Sequence, residues 1–221
     1  MHRGPRWALP GGVVLSVVAG QANAVGLLGV YHEAISHVTG TATHAAAALA
    51  RGDVVAAVVA GSIVVAFAVG ATLAGALVQG GEVHSGRRYS VALVLEALLF
   101  VVAWVLLTRG LHAGEHVAAV AAGLQNGLAT RVSGAIVRTT HITGLVTDIG
   151  LTFGAVVRGR PLERQRLLLQ TSLVGGFVAG AVSGAVAFSA LGTDALLIPA
   201  GICVVLAIVA LPLMMSRDPA A

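Results

Sequence analysis

Charge is what this chain has least of. Of its 221 residues only 10% are Asp, Glu, Lys or Arg, whereas 57% are hydrophobic. A water-soluble domain carries about 25% charged residues. So few charges cannot clothe a globule of this size, so lipid must be the solvent for much of the surface. Lysine is missing altogether, and the 13 basic residues are all Arg, a usage that suggests GC-rich, bacterial coding. These arginines are scattered at the ends of apolar runs, which argues against a nucleic-acid surface. Cysteine occurs once, as Cys203 in an apolar run. It excludes an internal disulfide and reads as a small core hydrophobe. Phosphate loops, nucleophile elbows, paired-cysteine motifs and dinucleotide fingerprints are missing too. An enzyme is therefore not expected, and neither is a cofactor or a resident metal.

What is present is a series of apolar runs. Arg3 and Arg6 precede the first, in the manner of a secretory signal. Further runs follow throughout, so it is read as an uncleaved first span, Gly11 to Tyr31. A short segment, His37 to Ala50, comes next. At about 1.5 Å per residue it is too short to cross a hydrocarbon core of about 30 Å. Val54 to Gln79 and Tyr89 to Thr108 make the second and third spans. The pattern then restarts with Val117 to Val137, a short segment Thr139 to Val157, and spans Leu167 to Leu191 and Ala195 to Met215. No water-soluble domain is seen. The expected fold is an all-α membrane bundle of six spans in one integral domain. Two inverted three-span repeats, about 11–108 and 117–215, each carry one short broken or re-entrant helix.

Arginine distribution favours six spans. With the N-terminus inside, only Arg51 and Arg109 of the 13 arginines fall outside. If both short segments crossed, giving eight spans, the split would weaken to nine against four. The positive-inside rule prefers the first arrangement.

The repeat is carried by rare polar residues. His37-Val38-Thr39-Gly40 returns 104 positions later as His141-Ile142-Thr143-Gly144. Gln21 falls opposite Gln125, and Asn23 opposite Asn126 with a slip of one residue. Phe67-Ala68-Val69-Gly70-Ala71 matches Phe177-Val178-Ala179-Gly180-Ala181.

At these motifs the chain resembles a known family. Ala122-Gly123-Leu124-Gln125-Asn126-Gly127, followed by Val137-Arg138-Thr139-Thr140-His141-Ile142-Thr143-Gly144, is similar to the YoaK-like bacterial membrane proteins, also called domain of unknown function 1275. Asn23-Ala24-Val25-Gly26 and His37-Val38-Thr39-Gly40 fit the first half of that family. An Asn often follows the first Ser/Thr-Gly pair there; here the position is Thr41. The resemblance covers about Gly11 to Met215. It implies a multi-span protein of the bacterial inner membrane, and it brings no activity with it.

Irregular backbone at membrane depth must be buried in protein or line a cavity. A helix that starts there offers free N–H groups and partial positive charge, which suit anions. Inverted-repeat transporters place two such helices face to face near the midplane. The expected substrate site is therefore bounded by Thr39-Gly40 and Thr143-Gly144, with Gln21, Asn23, Gln125 and Asn126 supplying side-chain hydrogen bonds to a small polar or anionic solute. Beside this stands the plainer reading, in which the same residues are ordinary glue between membrane helices. An acid at depth is costly and needs a partner or a wet cavity. Glu96, mid-span, and Asp148, opposite His44 in the other half, are accordingly the proton-coupling candidates. Asp148 and His44 would pair across the pseudo-twofold axis as a relay.

His32, Glu33 and His37 form one loose group and His112, Glu115 and His116 another. Both read as solvated loop rather than metal sites. Arg138 is placed either against lipid phosphates at the inner surface or at a cavity mouth. The stripe Gly176, Gly180, Gly184 reads as a close helix seam, within the chain or between copies of it in a homo-oligomer. Function is expected to be secondary transport or conduction. A structural subunit with a filled core and an intramembrane enzyme are the alternatives.

Overall fold

The computed structural model describes residues 8–29, 35–78, 86–132 and 139–215. They form eight α-helices and one 3-10 turn. In order, these are α1 (Ala8–Leu28), α2 (Val38–Ala50), α3 (Val54–Leu77), α4 (Gly86–Thr108), α5 (Ala113–Val132), α6 (Ile142–Val157), α7 (Arg164–Leu191), the 3-10 turn Gly192–Leu196 and α8 (Leu197–Met215). The chain is thus all-α, as the runs of Ala, Val, Leu and Gly require. In lipid only a helix satisfies its own backbone groups within one segment.

Four stretches are long and apolar enough to cross a membrane: Pro10–Leu28, Val54–Leu77, Arg87–Thr108 and Arg164–Leu211. The last, 48 residues long, holds two helices, because Gly192 (φ 60°) and the 3-10 turn break it between α7 and α8. Helix α5 has 20 residues, enough length for a crossing. Glu115, Gln125, Asn126 and Arg131 keep it too polar to be found by composition. Its place explains this: α5 is the most interior helix, with Ala119, Ala121, Leu124 and Leu128 fully buried. The outer faces of the other helices are apolar instead, with Val55, Val58, Val65, Val186 and Ile208 exposed. A bundle with polar atoms inside and valine outside is built for lipid.

The packing order is α6–α7–α1–α5–α3–α2, with α4 and α8 paired, α4 laid against α5 and α8 more lightly against α1. Glycines set the two principal seams. On α7, Gly176, Gly180 and Gly184 rest on the α1 backbone at Val13, Val17 and Gln21. On α3, Gly70 rests on Val120 and Leu124 of α5, and Ala74 touches Gly127. Both pairs advance in the same direction, so α1 is parallel to α7 and α3 to α5. The two seams are reciprocal. Gly20 meets the backbone of Phe177 and Ala181, and Gly123 meets that of Phe67 and Ala71. The repeated Phe-x-x-Gly-Ala strings are thus the two places where each half lets the backbone of the other come close. Of the two readings of the stripe Gly176, Gly180 and Gly184, a seam within the chain or between copies of it, the structure has the first: α1 of the same chain covers it.

Two hairpins close the ends of the row. After α2 and after α6 the chain turns through Gly52 (φ 77°) and Gly159 (φ 79°), a backbone region open to Gly at little cost. The Gly52 N–H donates to Leu49 O and the Asp53 N–H to Ala48 O; Gly159 and Arg160 donate in the same way to Val156 and Ala155. These paired bonds satisfy carbonyls that each helix end would otherwise leave open.

Candidate functional site

The polar interior begins at the first turn of α5. Glu115 is 3% exposed there and faces a cavity of about 320 Å³. The walls come from the last turn of α1 (Val25, Leu28) and Gly29 just after it, from Leu107 near the end of α4, from Phe188 near the end of α7 and from Thr193 in the 3-10 turn. Just outside, Trp104 Nε1 donates to Asp194 Oδ1 at 2.7 Å, tying α4 to that turn. One residue beyond Glu115, His116 Nε2 lies 2.7 Å from Ser62 Oγ and joins α5 to α3. Among the described residues no three His, Cys, Asp or Glu gather as they would around a metal ion.

Ten residues along α5 from Glu115, or about 15 Å, lies the centre of the bundle. Gln125, 1% exposed, donates from Nε2 to the carbonyl of Leu15 on α1. Glu96 of α4 is wholly buried and faces Cys203 of α8. Neither of its carboxyl oxygens has a hydrogen-bond partner among the described residues. Gln21 Nε2 donates to Ser183 Oγ on α7 at 3.2 Å, and its Oε1 has no partner there.

Asn23 works locally. Its Oδ1 accepts from the Ser36 N–H at 3.0 Å and the Ser36 hydroxyl at 2.9 Å. That clamp holds the start of α2 beside α1, five residues in from the helix end. Asn23→Ala removes both bonds and leaves the Ser36 N–H without its acceptor. A loss of about 1–3 kcal/mol is expected, read as a lowered melting temperature of the detergent-solubilised protein. In the other half, Asn126 Oδ1 and the wholly buried Thr139 Oγ1 have no such partner among the described residues.

The two His-x-Thr-Gly motifs adopt one geometry. His37 (φ −92°, ψ 61°) and His141 (φ −89°, ψ 56°) are the residues before α2 and α6. Each ring folds back over the glycine three residues on, so a Cβ at Gly40 or Gly144 would run into it. Thr43 Oγ1 donates to the Thr39 carbonyl and Thr147 Oγ1 to the Thr143 carbonyl, both at 2.9 Å. The motif is a helix start read twice. Helix α2 has 13 residues, about 20 Å, against about 36 Å for the 24-residue α3 it doubles back along. Its first turn therefore lies more than halfway down α3, as a re-entrant segment would.

The two starts do not meet. Helix α2 packs on α3 and α6 on α7, at opposite ends of the row, and α2 and α6 share no contact. Thr39 and Thr143 are exposed on separate flanks. The expected single site between the two Thr-Gly breaks is corrected accordingly, because each short helix is captured by the helix that follows it. The expected relay between Asp148 and His44 fails for the same reason. Asp148 turns to α7, accepting from Gln170 Nε2 at 3.2 Å and Arg166 Nη2 at 3.5 Å, with its side chain 42% exposed. Its place near the Arg-bearing end of α7 makes it an interfacial acid. His32, Glu33 and Arg138 lie outside the described residues.

Sequence reasoning grouped Glu115 with loop residues. Only its neighbours in space, the ends of α1, α4 and α7, distinguish it from any acid opening a helix. Thr193, Ser36 and Ser183 carried no signal, being common residues in an apolar context.

A helical bundle with an apolar exterior, buried acids and an internal cavity defines a membrane-type protein. The chain belongs to the family described as Protein of unknown function (DUF1275), whose pattern matches residues 11–209. This agrees with the resemblance read from its motifs. No curated protein and no solved structure matches it.

Proposed function

We propose that the protein is a proton-coupled secondary transporter for a small polar solute. It would sit in the bacterial inner membrane as six spans in two inverted repeats, with its N-terminus in the cytoplasm. The observation that carries the reading is the buried acid Glu115 on a cavity at one end of a bundle whose centre holds a second buried acid, Glu96. An ionisable group kept at depth is expensive and points to a solute or proton path. A purely structural subunit would fill that space, and an enzyme would need two titratable groups converging on it.

Topology supports the inverted repeat. The reciprocal Gly20 and Gly123 seams relate α1–α7 to α5–α3 by exchange of halves. Helix α1 is antiparallel to α5, since the end of α1 and the beginning of α5 wall one cavity. Orientation has support too. Arg87, Arg88, Arg131, Arg158, Arg160, Arg164 and Arg166 lie at the end where α1 begins, and Arg51 and Arg109 at the other. The positive-inside rule puts the first end in the cytoplasm and the cavity at the outer face.

The test is flux. Proteoliposomes enclosing a pH-sensitive dye are given an imposed proton gradient and then a panel of small amines, alcohols and carboxylates. Solute-dependent dissipation of the gradient, absent from empty vesicles, is the expected result. A protein that moves no protons with any of the panel is not the proposed transporter.

A further inference from the structure

Among the described residues, the one charged side chain that lines the outer cavity is an acid, Glu115. Three helices end there: α1 at Leu28, α4 at Thr108 and α7 at Leu191. A helix C-terminus carries about half a negative charge on carbonyls that lack intrahelical partners. Two helices begin there, α5 at Ala113 and α8 at Leu197, and the positive end of α5 holds the carboxylate of Glu115 in its first turn, where an acid is stabilised. Among the described residues the remaining lining is apolar apart from the Thr193 hydroxyl, and no Arg or His is part of it. Arg109 is exposed at the same end and Asp194 stands just outside the wall. An anion brought into this space would meet the carboxylate of Glu115. A cation would meet the Glu115 carboxylate and the Thr193 hydroxyl, with apolar contact from the other described residues of the lining.

Size narrows the class further. The cavity, about 320 Å³, is at the lower end of the roughly 300–1,000 Å³ range of small-molecule sites. Its floor and sides (Ala22, Val25, Ala118, Phe188, Leu196) are hydrocarbon. A bare metal ion would find too few oxygens here, because a hard cation takes about six or more. An ammonium group carrying a short apolar tail satisfies both halves of the lining.

We infer that this cavity is a binding site for a small primary amine in its ammonium form. The Glu115 carboxylate and the Thr193 hydroxyl would accept from the nitrogen, and the alkyl portion would pack against Phe188 and Leu196. The inference rests on the transport reading for its role, and it narrows the sequence-based expectation of a small polar or anionic solute to a polar, cationic one.

Binding can be measured without transport. Trp104 adjoins the 3-10 turn that walls the cavity, and only one other tryptophan, Trp7, is present. In a Trp7→Phe background, the emission of Trp104 in detergent reports occupancy. Three probes of equal size are titrated: n-butylamine, n-butanol and n-butyrate. The amine is expected to bind tightest and butyrate weakest. Glu115→Gln should weaken the amine about tenfold or more, the loss of a charge-assisted hydrogen bond, and leave butanol unchanged. Glu115→Asp should restore part of the affinity. Butyrate binding as tightly as the amine, no binding by any of the three, or amine affinity indifferent to Glu115→Gln would each overturn the assignment. If Glu115→Gln does not fold, the order of the three probes on the unaltered acid decides alone. Proton flux with a solute other than an amine would leave the transporter standing and remove only this site.

Discussion

Gly180→Ala is expected to cost the protein several times what Gly175→Ala costs, although the two positions are little more than one helical turn apart. A Cβ on Gly175 meets open space, and one on Gly180 meets the carbonyl of Val17 on the neighbouring backbone. Backbone cannot swing away as a side-chain tip can, so α1 and α7 would have to separate along the whole seam. Overpacking of this kind costs about 1–3 kcal/mol and sometimes more. An exposed Gly→Ala in a helix gains up to about 1 kcal/mol. Gly70→Ala should behave as Gly180→Ala does, since it meets Val120 in the reciprocal seam. The check is the midpoint of denaturation followed by circular dichroism, with monodispersity on size exclusion as a second reading. Equal midpoints for the Gly175 and Gly180 variants would mean that the seam is not where it has been placed.

Glu96→Leu is expected to raise stability and abolish proton-driven uptake in the same molecule. The carboxyl is wholly buried at the α4–α8 contact with neither oxygen hydrogen-bonded among the described residues. An acid at the centre of a membrane helix costs about 2.5 kcal/mol or more, and leucine, of similar length, returns that cost as apolar contact. A residue that destabilises its own fold points to a function that requires it. Glu96→Leu proteoliposomes should therefore retain amine binding at the outer cavity, which lies well away along the bundle, and lose solute-dependent dissipation of an imposed proton gradient. Glu96→Gln should lose flux in the same way. A Glu96→Leu protein that is less stable than the parent, or that still dissipates the gradient, would remove Glu96 from the coupling path.

Much of the architecture could be read from composition and order. The deficit of charge and the apolar runs required lipid-facing helices. The duplicated His-x-Thr-Gly strings marked two short helices. The Phe-x-x-Gly-Ala strings marked places where backbones approach. Helix α5 began earlier than expected, at Ala113, because its first turn is polar and faces the interior. The membrane scale of hydropathy assumes a helix that looks outward, and α5 looks inward.

What the sequence by itself determined is the solvent and the local geometry, because these follow from side-chain polarity and from backbone preference within a few residues. It established an all-helical chain for a bilayer and two short helices that open at the repeated His-x-Thr-Gly strings. Tertiary structure alone decided which elements meet. It sent α2 to α3 and α6 to α7, so that the two Thr-Gly breaks lie on opposite flanks. It buried the α7 glycine stripe under α1, and it gathered three helix ends around Glu115. Contacts between residues a hundred positions apart depend on shape and on the competition among many seams, and no local pattern in an Ala-, Val- and Gly-rich chain records how that competition ends.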